Sequence, residues 1–131
     1  MSEAKPVVIL CVDDDPKALM ARRLVLSTAG YDVLTASSGE DALRILRRRG
    51  VDLVIADAFL PRFTGAELTT AIKRYNPGIR VVLLTGAPEL PSGAQADLIL
   101  IKGRAPSNFL AEIAKVLAGK PPEEPDLHNQ G

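Results

Sequence analysis

Short apolar runs rich in β-branched residues alternate along this chain with segments of helical periodicity, and that alternation restricts the fold more than any other feature. The runs occupy residues 7–12 (VVILCV), 31–36, 52–56, 80–85 and 98–101. Runs so continuously apolar suit strands buried on both faces, as in parallel sheets. The intervening segments carry helix starts and stops. Asp15 before Pro16 fits an N-cap and a first helical position, with Ala18, Ala21, Val25 and Ala29 at helical spacing up to Gly30. Ser38 with Asp41 and Thr64 with Glu67 have capping-box spacing. The first pair precedes Ala42, Ile45 and Leu46, in a helix expected to run through three arginines to Gly50. The second precedes Leu68, Ile72 and Tyr75 and closes at Asn76-Pro77-Gly78. Ser107 is the expected cap of a last helix that carries Leu110, Ile113 and Leu117 and ends at Gly119.

The predicted order is βαβαβαβ, an irregular stretch, then βα. Right-handed crossovers leave few topologies for that order, and the expected one is an α/β doubly wound, five-stranded parallel sheet with strand order 2-1-3-4-5. Gly86, Pro88, Pro91 and Gly93 oppose a regular helix between the last two strands, since an interior proline costs about 3 kcal/mol. A loop or single turn is expected over residues 88–97. No repeat or second core is visible, so residues 1–119 read as one domain and 120–131 as a disordered, Pro-rich acidic tail or linker stub.

Composition removes several classes of chemistry. The 131 residues carry 16 Lys+Arg against 16 Asp+Glu, so no net charge steers the chain to nucleic acid or an anionic membrane. The basic groups Arg22-Arg23, Arg44 and arginines 47–49 lack interleaved aromatics and are expected to be solvated helix faces. No apolar stretch approaches the roughly 20 residues that span a bilayer. With one cysteine, Cys11, inside an apolar strand, and no cationic leader, a cytoplasmic location is expected, with Cys11 a buried small hydrophobe. The single histidine, His128, lies in the tail, which argues against histidine-based nucleophilic and zinc sites. Carboxylates, hydroxyls and lysine remain.

In doubly wound sheets ligands bind beyond the carboxyl ends of the strands, where the winding reverses between strands 1 and 3. Asp13, Asp14 and Asp15 follow strand 1, Asp57 ends strand 3, Thr85 ends strand 4 and Lys102 ends strand 5. Asp15 is accounted for as a helix cap. Asp13, Asp14 and Asp57 repel one another unless a cation neutralises them, and a hard divalent ion such as Mg²⁺ suits such oxygens. Asp57 is then placed to attack a phosphoryl group, with Lys102 holding its oxygens and Thr85 donating a hydrogen bond.

These residues resemble a response-regulator receiver domain of two-component signalling, the CheY-like family. The likeness runs from about Pro6 to Gly119 and rests on Val8-Ile-Leu-Cys-Val-Asp13-Asp14-Asp15, Asp52-Leu-Val-Ile-Ala-Asp57, Leu60-Pro61 with Gly65, Leu83-Leu84-Thr85-Gly86, and Lys102. The resemblance implies a flavodoxin-like fold with Asp57 as phosphoacceptor and Asp13 and Asp14 as the acidic pair around Mg²⁺. It also implies the Phe59 carbonyl as a metal ligand, Thr85 as switch hydroxyl and Lys102 as phosphate counter-ion. The donor would be a sensor histidine kinase or phosphotransfer protein, and the domain a phosphoacceptor rather than a conventional enzyme.

The chain departs from the family pattern in places. The family's fourth helix is expected to be shortened or absent. Ile99 stands where an aromatic is common, Gly103 where a proline follows the lysine, and Phe59 and Ala87 at positions that influence attack by water. Two functions therefore stay open: a single-domain phosphoacceptor switch that signals through protein contacts, with no nucleic acid or membrane involved, or a phosphorylation-independent adaptor using the remodelled face. A phosphatase is disfavoured by Phe59, and a nucleotide-binding enzyme by three aspartates where glycines are needed.

Overall fold

The computed structural model describes residues 5–86 and 95–119. Its elements are β1 (Val8–Val12), α1 (Pro16–Thr28), β2 (Asp32–Ala36), α2 (Gly39–Leu46), β3 (Leu53–Asp57), α3 (Gly65–Tyr75), β4 (Arg80–Thr85), β5 (Leu98–Ile101) and α4 (Pro106–Leu117). The strands form one parallel sheet in the order β2-β1-β3-β4-β5, as expected.

Alternating strand residues feed two apolar layers. Leu10, Val12, Val54, Ala56, Val81 and Leu83 face α2 and α3, where Ala42, Leu46, Leu68 and Ile72 are buried against them. Ile9, Cys11, Leu53, Ile55, Val82 and Leu84 face α1 and α4 and meet Leu19, Leu26, Ile113 and Val116. A central sheet covered on both faces explains why its strands are apolar without alternation.

Local chemistry sets most helix starts. Asp15 caps α1 through a bond from the Lys17 amide, Ser38 caps α2 through the Asp41 amide, and Thr64 with Glu67 closes a complete capping box on α3. Two expectations need correction. The last helix is not capped by Ser107: it begins at Pro106 after Ala105, with no side-chain cap, because proline at the first position has no N–H to satisfy. The second helix stops at Leu46, and arginines 47–49 lie in turns, with the Arg48 and Arg49 amides both bonded to the Ile45 carbonyl. On α1 the buried stripe is Leu19 and Leu26, whereas Ala18 and Val25 are half-buried and Ala21 and Ala29 exposed. Burying two leucines removes more apolar area from water than burying alanines, so the leucines set the rotation of the helix.

Residues 95–97 lead into β5 without a helix. The expectation for the rest of the segment before it falls on residues 87–94, and the expected tail on 120–131, both outside the described residues.

Candidate functional site

Four strand ends converge on one rim of the sheet. Asp57 is the last residue of β3 and pairs with Leu84 of β4, so Thr85 stands one residue further along the neighbouring strand. Thr85 is buried, and its carbonyl accepts the Lys102 amide at 2.7 Å, which fixes the start of the lysine just past β5. The Lys102 side chain then reaches back across the sheet, and Nζ donates to Asp57 Oδ2 at 2.9 Å. The chain turns after it at Gly103, whose φ of +91° lies in the region that glycine occupies without a Cβ penalty.

Asp13 follows β1, held by its amide to the Ala36 carbonyl at 3.1 Å. It is buried, Asp14 beside it is exposed, and Asp57 is buried. One carboxylate oxygen from each of the three lies within 4.8 Å of the others. In an octahedral Mg²⁺ shell with bonds of 2.0–2.1 Å, ligand oxygens stand about 3–4 Å apart, so this all-oxygen donor set fits the ion after a small contraction. Asp15 is not part of the cluster: its carboxylate caps α1.

The buried carboxylates are held by specific donors. Asp57 Oδ1 accepts the Phe59 amide at 3.0 Å, which orients the group within its turn. Phe59 itself is 53% exposed. Asp13 Oδ1 accepts the Asp15 amide at 2.9 Å, and Asp13 Oδ2 accepts Arg22 Nη1 at 2.8 Å. That last bond is the one the sequence reading missed. The sequence predicts Arg22 on a solvated face, yet its side chain is only 15% exposed. It stands three residues after Leu19 and four before Leu26, on the stripe that α1 turns to the sheet.

Cys11, one strand position before Val12, is fully buried, and burial pushes its thiol from 9.0 up to about 12. It is packing, not a nucleophile. Ala87, singled out beside Phe59, lies outside the described residues.

Residues 9–102 match the response regulator receiver domain family. The transcriptional regulatory protein GlrR of Escherichia coli is 41% identical over 92 residues, which cover 70% of this chain and 21% of GlrR. The chain therefore corresponds to about a fifth of that relative. A CheY-like receiver domain from Methanospirillum hungatei superposes with a TM-score of 0.82 at 28% identity, over 88% of this chain and 96% of that one. The response regulator TrrA of Thermotoga maritima, solved in complex with Mg²⁺-BeF, has a TM-score of 0.75 at 32% identity, over 85% and 98% of the two chains.

Proposed function

We propose, on the premise that this chain belongs to the response regulator receiver domain family, that it is a Mg²⁺-dependent phosphoacceptor charged at Asp57 by a sensor histidine kinase or a phosphotransfer protein. The observation that carries this reading is the position of Asp57: one oxygen bonded to the Lys102 ammonium, and the carboxylate within reach of those of Asp13 and Asp14. TrrA, a structural relative, binds Mg²⁺ and a phosphoryl mimic.

An Asp57 carboxylate oxygen attacks the phosphorus, the new O–P bond forms, and the P–N bond to the donor histidine breaks, its electron pair leaving with the imidazole. Asp13, Asp14, Asp57 and the Phe59 carbonyl would hold Mg²⁺, which would supply charge neutralisation for the phosphoryl oxygens. Lys102 begins on Asp57 and moves onto a phosphoryl oxygen as charge shifts there. Thr85, at the adjacent strand end, donates its hydroxyl to another. The domain takes part in its own phosphorylation and turns over no substrate, so it is a switch and not a conventional enzyme. Its output is contact with a protein partner, for which a cytoplasmic setting is the natural one. Among the described residues no helix is long and apolar enough to cross a membrane.

Incubation with Mg²⁺ and acetyl phosphate followed by intact mass tests the assignment. One phosphoryl group on wild type and none on Asp57→Asn is the expected result, and equal labelling of the two refutes it. The adaptor reading draws support from Ile99, which packs half-buried against the α2/α3 layer at the position where relatives commonly carry an aromatic switch. Partner binding that is unchanged by Mg²⁺-BeF would favour that reading, because a group that does not shift occupancy regulates nothing.

A further inference from the structure

The metal-site acid Asp13 already has a cationic partner. Arg22 Nη1 donates to Asp13 Oδ2 at 2.8 Å, with side-chain exposures of 15% and 2%. The other Asp13 oxygen accepts the Asp15 amide, so both oxygens are engaged before any metal arrives. Lys102 stands against Asp57 in the same way. Two cations facing three carboxylates leave one formal negative charge, a weaker attraction for a divalent ion than three bare carboxylates offer. A guanidinium cannot shed its charge at working pH, so it relieves the conflict only by moving. Space for that exists: Arg22 and Lys102 both line a groove of about 260 Å³, walled by Ala18, Ala21 and Phe109, beside the cluster.

We propose that Arg22 is an intramolecular counter-cation that competes with Mg²⁺ for the Asp13 carboxylate and thereby sets the divalent-cation affinity of the site. The inference rests on the reading of this cluster as a Mg²⁺ site. Without metal, Arg22 holds the buried Asp13 and keeps the acidic rim folded. With metal, the guanidinium loosens toward the groove, and part of the binding free energy is used to displace it. Arg22 acts through Asp13 and is a positioning residue.

The test is isothermal calorimetry of Mg²⁺ binding to the full chain at fixed ionic strength, with wild type, Arg22→Gln and Arg22→Lys. Arg22→Gln removes the charge and leaves a shorter, neutral hydrogen-bonding side chain, and it is expected to bind Mg²⁺ about tenfold tighter, equivalent to about 1.4 kcal/mol. Arg22→Lys restores the charge and should return the affinity to within about threefold of wild type. Arg22→Met serves in place of Arg22→Gln should the latter fail to fold without metal. An uncharged variant that binds no tighter than wild type overturns the proposal, as does Arg22→Lys tightening as much as Arg22→Gln. Acetyl phosphate labelling of the same samples separates the two readings. Unlabelled Asp57 with the expected Mg²⁺ affinities overturns the phosphoacceptor function alone. Normal labelling with unchanged affinities overturns the role of Arg22 alone. No Mg²⁺ binding by any variant overturns both.

Discussion

Gly65 opens α3 where the helix comes closest to the strand end that carries Asp57, and Gly65→Ala couples stability to the site. A Cβ there stands 2.8 Å from Ala58 Cα, 2.8 Å from the Asp57 carbonyl oxygen and 3.0 Å from Leu83 Cδ2. Carbon atoms pack best at about 3.5–4.0 Å, so the methyl group is short of room by roughly 0.5–1 Å on two backbone atoms. Leu83 can turn away. The backbone cannot, because the Gly65 amide is bonded to the Ala58 carbonyl at 3.0 Å and the Ala58 amide to the Leu84 carbonyl at 2.8 Å. Overpacking of this kind costs about 1–3 kcal/mol, offset by up to about 1 kcal/mol from alanine's better helix propensity. The net expectation is a loss of about 1–2 kcal/mol, and a fall in melting temperature of roughly 3–10 °C. Urea unfolding followed by far-UV circular dichroism measures it, with Gly50→Ala as control, since a Cβ at Gly50 meets nothing within 4 Å. The control should stay within about 0.5 kcal/mol of wild type. Because the strain falls on the Asp57 carbonyl, acetyl phosphate labelling of Gly65→Ala should slow as well. A Gly65→Ala protein as stable as Gly50→Ala refutes the close-approach argument.

Asp14 is the exposed member of the acidic cluster, so Asp14→Ala should weaken Mg²⁺ binding while leaving the melting temperature in EDTA equal or higher; marked destabilisation in EDTA contradicts the repulsion argument. Asp97 Oδ2 accepts both the Val81 amide at 2.8 Å and Lys73 Nζ at 2.7 Å, tying α3 and β4 to the start of β5. Asp97→Ala should cost about 1.5–3 kcal/mol in urea unfolding, with Asp97→Asn intermediate, and a change under about 0.5 kcal/mol would remove Asp97 from the account. The Cys11 thiol, raised from 9.0 to about 12 by burial, with Arg22 lowering and Asp13 raising it by lesser amounts, keeps a proton in the folded state that the unfolded chain releases above pH 9. Its contribution is complete below pH 9 and is lost as pH rises toward 12. Cys11→Ala should therefore flatten the decline in stability over that window, and alkylation of native wild type at the rate of a free thiol at pH 8 would disprove the burial. Phe59 presents an apolar ring that cannot orient a water. Phe59→Asn is expected to speed phosphoryl loss several-fold after donor removal, followed by intact mass, and an unchanged or slower rate means the ring does not govern access.

What the sequence alone determined is what short-range chemistry writes into neighbouring residues. The five apolar runs specify a sheet covered on both faces, and βα alternation with right-handed crossovers leads to the order β2-β1-β3-β4-β5. Caps at Asp15, Ser38 and Thr64 were legible because donor and acceptor lie two or three residues apart. The acids of the site were legible because that topology brings strand ends to one rim. Tertiary structure decided the rest. The sequence also puts Lys102 on that rim, but its bond to Asp57 across 45 residues forms only because β4 pairs with both β3 and β5. Arg22 reads from the sequence as a solvated arginine, because nothing in its neighbourhood along the chain marks the buried carboxylate it meets. Once Leu19 and Leu26 turn the helix toward the sheet, the residue between them falls beside the buried Asp13, and an arginine so placed must pair with it. The rotation of a helix about its own axis depends on the summed burial of every side chain against its neighbours, and no local pattern in the chain contains that sum.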